Sequence, residues 1–319
     1  MTRLPSRRLF LASLAAMPAG AWLAACTRAA LPLQGDKKET AMTIKTRFDH
    51  AGGRTVAVGD AHIYVEEAGR PDAPPLLCLH GGLGDMRDLN PVLPALAGRF
   101  RLIGMDFRGH GCSTLGNRPL TYALYQSDVQ AVMRQLGITA ARVLGFSDGG
   151  IVGYRLAATP NAGPSKEQSA GQTALFQVQQ LATIGAQWRL AADDPALPML
   201  QGLTQADWES MFPDALPYYR AHNPQPDFAR LLAGVKALWT NTQPDNYPGE
   251  TVRTITAPVL LIRGENDELC SEQELVDLLQ HLPSHRKYLN ILPNAGHAAH
   301  ADQPETVAQW LTAFFTEGA

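Results

Sequence analysis

The residues Gly145-Phe146-Ser147-Asp148-Gly149 carry the most legible chemistry in this chain. The stretch Ala141 to Phe146 before them reads as a short buried strand, and Gly150 to Ala157 after them reads as the start of a helix. A serine on a sharp strand-to-helix turn has a strained backbone and an exposed hydroxyl. Glycines two before and two after it let strand and helix approach without Cβ clashes. Ser147 is therefore the candidate nucleophile, although a plain Gly/Ser-rich turn would share the pattern. A serine hydroxyl is a poor nucleophile at neutral pH and needs a base, with a third group to orient that base. Downstream, Ala257 to Asp267 is an apolar strand ending in a turn that carries an acid. Lys287 to His297 is another strand, ending in a loop that carries a histidine. Ser147, Asp267 and His297 each sit just past the carboxyl end of a predicted strand, where α/β sheets place ligands and chemistry.

Acyl transfer also needs backbone N–H donors aimed at the developing oxyanion. One is expected from Asp148, the residue after the nucleophile. The other is expected from Gly82 or Leu83 in the loop His80-Gly81-Gly82-Leu83-Gly84, which follows the apolar run Pro75 to Leu79. A further strand, Arg101 to Met105, runs into Asp106-Phe107-Arg108-Gly109-His110-Gly111.

From about Thr46 to Phe315 the chain resembles the α/β-hydrolase superfamily. The resemblance is carried by His80-Gly81-Gly82, Asp106 to Gly111, Gly145-x-Ser147-x-Gly149, Gly264-x-x-Asp267 and Gly296-His297. It implies the chain order Ser, Asp, His. It favours His297, directly after its glycine, over His300 as base; Glu265 competes with Asp267 as the orienting acid, but its position inside the turn argues against it. It makes Asp106, Arg108 and His110 a scaffold beside the site. Dehalogenases and epoxide hydrolases of this superfamily carry Asp where Ser147 stands, which argues against both. The stretch Gly145 to Gly150 resembles the elbow of valacyclovir hydrolase, in which the corresponding acid recognises an α-amino group. The other reading of the Asp148 side chain is a helix cap, favoured by the helix dipole.

The amino terminus bears on location. Arg3, Arg7 and Arg8 precede an apolar stretch from Leu9 to Ala25 that is broken by Pro18 and Gly20. This reads as a secretory signal rather than a spanning helix. Ser6-Arg7-Arg8-Leu9-Phe10-Leu11 looks like a twin-arginine signal, and Leu23-Ala24-Ala25-Cys26 looks like a lipoprotein cleavage box with Cys26 as the lipidated residue. Removal of the signal takes three arginines and no acids, lowering the net charge from −3 to −6, so there is no basic footprint for nucleic acid. The expected location is the bacterial cell envelope, outside the cytoplasm, with the domain anchored to a membrane by lipid.

The expected fold is α/β: an α/β-hydrolase fold with a mostly parallel eight-stranded sheet, helices on both faces and a small helical cap. The divisions are an export signal over 1–25, a flexible tether over 26–45, core over 46–187, cap over 188–248 and core again over 249–319. A capping box is expected at Ser271 and Glu274. The polar stretch Thr159 to Gln172 reads as a surface loop. Apolar residues at helical spacing mark the cap, with Trp208 and Phe212 as candidate substrate contacts beside Asp148. Hydrophobic residues make up 45% of the chain, enough for one sizeable core. Of the cysteines, Cys78 reads as a core thiol, while pairing of Cys112 with Cys270 is open. No zinc-ligand spacing, dinucleotide fingerprint or phosphate loop occurs, so no metal or organic cofactor is expected. The reading is an exported serine hydrolase of small or medium carboxylic esters. The alternatives are the same triad used for C–C hydrolysis, perhydrolysis or aminopeptidase chemistry, and a non-catalytic lipid-anchored binding protein. Oligomeric state is not legible.

Overall fold

Short apolar runs that lack a polar alternation become strands covered on both faces. Three such runs are β3 (Pro75–Leu79), β4 (Arg101–Met105) and β7 (Val259–Gly264), buried nearly throughout. The structure is a computed structural model that describes residues 44–158, 176–243 and 246–317. The remaining strands are β1 (Arg54–Val58), β2 (Ala61–Gly69), β5 (Ala140–Phe146), β6 (Gln177–Ile184) and β8 (Lys287–Leu292). They form one eight-stranded sheet in the order β1-β2-β4-β3-β5-β6-β7-β8. β2 runs antiparallel to β1 and β4, and all other pairs are parallel. The parallel run brings the carboxyl ends of β3, β5, β6, β7 and β8 to one edge, and the site is built there.

Side chains alternate across a strand, so the sheet divides the core in two. Leu77, Leu79, Val143, Leu181 and Leu261 enter one cluster with α2 (Tyr122–Gln135), α3 (Asp148–Ala158) and α8 (Glu272–His281). Leu76, Cys78, Leu144, Ala182 and Leu260 enter the other, with α1 (Leu93–Ala97) and α10 (Pro304–Thr316); a short α9 (Ala299–Asp302) precedes α10. The strands expected before the loops of Gly81, Asp106, Ser147, Asp267 and His297 are present, as is the helix expected after Ser147. The short helix α1, whose Leu-Pro-Ala-Leu-Ala gives little periodic signal, was not expected.

Between β6 and β7 the regular elements among the described residues are helices: α4 (Leu197–Gly202), α5 (Gln205–Met211), α6 (Ala215–His222) and α7 (Phe228–Trp239), followed by a 3₁₀ turn at Gly249–Thr254. Thr204 and Asp207 form a reciprocal capping box at the start of α5. At α8 only half of the expected box exists. Ser271 accepts from the Glu274 N–H, but Glu274 is turned inward, where its Oε1 is buried without a partner. Burial pushes its carboxyl up to about 8. Packing of that carboxyl therefore overrides the local signal.

The export signal, Cys26 and nearly all of the tether lie outside the described residues, as does the stretch Thr159 to Gln172. Among the described residues no helix is long and apolar enough to cross a membrane. Cys78, Cys112 and Cys270 are free thiols, so Cys112 and Cys270 do not pair.

Candidate active site

Ser147 closes β5 and opens α3 with φ at +50°, a left-handed angle that a β-carbon ordinarily resists. The neighbouring glycines permit it. A Cβ at Gly145 would lie 2.4 Å from the Gly149 backbone, and one at Gly149 would lie 2.2 Å from the Leu79 carbonyl oxygen. Ser147 donates its N–H to Ile184 of β6, and its own carbonyl accepts from Gly150 and Ile151, starting α3. The turn is thus bonded to the neighbouring strand and to its own helix, which holds the hydroxyl in place.

His297 Nε2 lies 3.0 Å from Ser147 Oγ, and His297 Nδ1 lies 2.9 Å from Asp267 Oδ1. With a carboxylate facing Nδ1, that nitrogen carries the proton and Nε2 is left as an acceptor. Asp267 Oδ1 also accepts from the Leu269 and Cys270 N–H groups, at 2.9 and 3.1 Å. Three residues spread over 150 positions therefore form one proton-transfer line at the carboxyl edge of the sheet. The competing residues lie elsewhere. His300 is buried with Nε2 against the Asp88 carbonyl, and burial lowers it to about 4. Glu265 accepts from the Asn294 N–H.

The glycine loop approaches the same serine: a Cβ at Gly81 would lie 3.4 Å from Ser147 Cβ. His110 separates the two upstream oxyanion candidates. Its Nδ1 faces the Arg108 carbonyl at 2.8 Å, and its Nε2 accepts the Leu83 N–H at 3.0 Å. Burial holds His110 down to about 4, so the ring stays neutral and able to accept. Leu83 N–H is thereby committed. Among the described residues, neither Gly82 N–H nor Asp148 N–H has an acceptor. Asp106 and Arg108 are scaffold. Arg108 is buried against Asp128, with Asp60 on its other side. Removing one partner of such a buried pair costs about 3–5 kcal/mol. Asp106 accepts from the Met86 and Cys112 N–H groups and faces His50 at 2.9 Å. The fold thus brings donor atoms of His50, Asp106 and Cys112 within 4.8 Å of one another, a grouping that no ligand spacing in the sequence signalled.

The Asp148 side chain fits neither of its sequence readings. It is buried, and Oδ1 accepts from Tyr122 Oη at 2.8 Å and from Trp239 Nε1 at 2.9 Å. Oδ2 accepts from the same indole at 3.0 Å. It does not cap α3, whose first amides go to the Ser147 carbonyl. Nor does it stand free for a substrate amine. Burial pushes the carboxyl up to about 6, against the pull of Tyr122 and Trp239.

A cavity of about 60 Å³ lies over Ser147 and His297, walled by Tyr122, Asp148, Ile151, Trp239 and Tyr247 on one side, with Gly185, Gln187, Leu200 and Leu269 completing it. Trp208 and Phe212 do not line it. They pack on each other at the end of α5, with ring centroids 4.4 Å apart, and Phe212 is 48% exposed. The residues of the 188–248 segment that reach the cavity are Leu200, Trp239 and Tyr247. A larger open cleft of about 520 Å³, lined by Arg189, Asp193, Asp194, Glu274 and Asp277, contains none of the three residues of the proton-transfer line. Sequence reasoning missed Tyr122, Gly185 and the Asp148–Trp239 bond. A glycine directly after the apolar run that forms β6 was the available signal for Gly185.

A mostly parallel eight-stranded sheet, with a serine on the turn after β5 and a His–Asp pair from the loops after β8 and β7, is the architecture of an α/β hydrolase. The comparisons agree. A profile of the Alpha/beta hydrolase family matches residues 76–310, and the chain belongs to that family and is a hydrolase. It is 28% identical over 289 residues to a Bacillus subtilis (strain 168) protein provisionally named 2-succinyl-6-hydroxy-2,4-cyclohexadiene-1-carboxylate synthase, covering 83% of this chain and 99% of that one. It is 23% identical over 255 residues to Esterase YbfF of Escherichia coli (strain K12), covering 76% and 93%. The fold matches the enol-lactonase of Burkholderia xenovorans LB400 with a TM-score of 0.63 at 20% identity, over 82% of this chain and 99% of that one.

Proposed function

We propose that the chain is a serine esterase that cleaves a small or medium carboxylic ester through an acyl-enzyme. The observation that carries this reading is the line Ser147 Oγ, His297 Nε2, His297 Nδ1, Asp267 Oδ1, with contacts of 3.0 and 2.9 Å. Ser147 Oγ attacks the ester carbonyl while its proton passes to His297 Nε2. Asp267 holds the ring and stabilises the imidazolium. The carbonyl oxygen, now an oxyanion, accepts from the Gly82 and Asp148 N–H groups. The tetrahedral adduct collapses, and His297 returns the proton to the leaving alcohol. Water, deprotonated by the same histidine, then releases the acid and restores the serine. The ester-cleaving names among the relatives support this class of bond.

A fluorophosphonate probe tests the reading together with short p-nitrophenyl esters. The wild type should be labelled and should turn the esters over, and Ser147→Ala should lose both, with turnover down on the order of 10⁴-fold. Labelling without ester turnover would move the chain to another bond; absence of both in folded protein would make it a binding protein.

The same reading places the enzyme outside the cytoplasm, lipidated on Cys26 after cleavage at Ala25. The twin-arginine and cleavage-box residues support it.

A further inference from the structure

The Asp148 carboxylate directly follows the nucleophile, is buried, and plays no part in the proton transfers above. Three bonds fix it: one from Tyr122 at the start of α2, and a forked pair from Trp239 at the end of the cap helix α7. The backbone of the same residue is held as well, because the Trp239 main-chain carbonyl accepts from Tyr247 Oη at 2.9 Å. Tyr247 in turn meets Tyr122 edge-on, with centroids 5.0 Å apart. Trp239 also lies against the oxyanion loop. A Cβ at Gly82 would sit 2.5 Å from the indole Cζ2 and 2.6 Å from Asp148 Oδ2. The indole, the carboxylate and the Gly82 backbone are therefore in mutual contact at one wall of the cavity over Ser147.

We propose that Trp239, positioned by Asp148, is the specificity-determining wall of the acyl site and restricts the enzyme to short, uncharged acyl groups. This rests on the esterase reading. With the carbonyl oxygen between the Gly82 and Asp148 N–H groups and the leaving oxygen toward His297, the acyl carbons point to the wall made by Tyr122, Ile151, Tyr247 and Trp239. Three members of that wall are buried, with Tyr122 fully covered and Ile151 and Tyr247 4% and 5% exposed, and Trp239 is half-buried. The whole cavity is about 60 Å³. A single water needs about 10–15 Å³ by the same measure, so an acyl chain of about two to four carbons fills it. The indole cannot swing aside to admit a longer chain without stripping one of the two donors, and with it two of the three contacts, from a buried acid. A second carboxylate on the acyl group would face Asp148 and be disfavoured.

The test is kcat/KM on p-nitrophenyl acetate, butyrate, hexanoate and octanoate, for wild type, Trp239→Ala, Trp239→Phe, Asp148→Asn and Asp148→Ala. The wild type should fall by at least about tenfold from butyrate to octanoate, and Trp239→Ala should raise the octanoate-to-acetate ratio by at least about tenfold. If Trp239→Ala fails to fold in a thermal melt, Trp239→Phe, which narrows the side chain, should raise the ratio by about threefold or more. Asp148→Ala should relax the profile in the same direction, and Asp148→Asn, which keeps an acceptor for the indole, should restore selectivity. A wild type that takes octanoate as well as acetate overturns the proposal, as does a folded Trp239 variant with an unchanged ratio. An Asp148→Ala profile identical to wild type overturns the positioning role. Fluorophosphonate labelling separates the two levels. A labelled, ester-cleaving enzyme with a flat profile refutes the size restriction alone, whereas no labelling and no hydrolysis refutes the esterase reading and this inference with it.

Discussion

Gly185 directly follows β6 with φ at +57° and lies against the His297–Asp267 pair. The methyl of Gly185→Ala would start 2.9 Å from His297 Cε1 and Nδ1 and 3.0 Å from Asp267 Oδ2. Comfortable carbon contacts are about 3.5–4.0 Å, so the imidazole and the carboxylate must give way by about 0.5–1 Å. Both are constrained. The imidazole faces Phe146, with ring centroids 5.2 Å apart, and Asp267 Oδ1 is tied to the Leu269 and Cys270 N–H groups. The shift must therefore lengthen the contact to Ser147 or the one to Asp267. A misplacement of about 1 Å in a reacting constellation can cost about 10²-fold, so kcat/KM should fall by about 10–100-fold, mainly in kcat. The left-handed angle adds a cost of about 1–2 kcal/mol in stability, and each kcal/mol lowers the melting temperature of a domain this size by about 2–4 °C. The assay is steady-state hydrolysis of p-nitrophenyl acetate, with the rate of fluorophosphonate labelling and a thermal melt on the same preparation. A variant that melts lower but keeps kcat/KM within about threefold of wild type would refute the reasoning, because the pair would then have absorbed the methyl without leaving line.

Three further outcomes are expected. His297→Ala and Asp267→Asn should each lower turnover by about 10³–10⁴-fold. His300→Ala should cost stability with far less effect on turnover, and a silent His297→Ala beside a dead His300→Ala would overturn the choice of base. Asp148 gives a pH signature. Its carboxyl titrates at about 6 in the fold against an ordinary 3.8, so between those values the native state holds a proton that the unfolded chain has lost. Wild-type stability should therefore fall relative to Asp148→Asn as pH rises from about 4 to 6 and run level above. The gap should be about 3 kcal/mol, and parallel urea-derived stabilities at pH 4, 5, 6 and 7.5 would remove the burial argument. Cys26→Ser should move the protein from the membrane fraction to the soluble exported fraction, and mass spectrometry finding an unmodified Cys26 in mature protein would end the anchor reading.

The sequence by itself determined the strands and the three residues, Ser147, Asp267 and His297, that the fold brings into one hydrogen-bonded line. Each of these sits beside its own local signature. The strands are apolar runs, Ser147 is flanked by Gly145 and Gly149, and Asp267 and His297 each follow a strand and a glycine by a few residues. Such signals survive without a fold because backbone sterics and side-chain periodicity act between neighbours in the chain. Tertiary structure decided what depends on residues far apart. Leu83 and Gly82 look alike until His110, 27 residues on, takes the Leu83 N–H. The Asp148 side chain is undetermined until Tyr122 and Trp239, 26 and 91 positions away, close on it. Trp208, Phe212 and Trp239 are equivalent letters in an apolar helical stretch, and only the packing of α7 turns Trp239 toward Ser147 while α5 leaves Phe212 to solvent. Strand register and helix packing set those meetings. They are properties of the whole sheet and cap, so no short stretch of the chain encodes them.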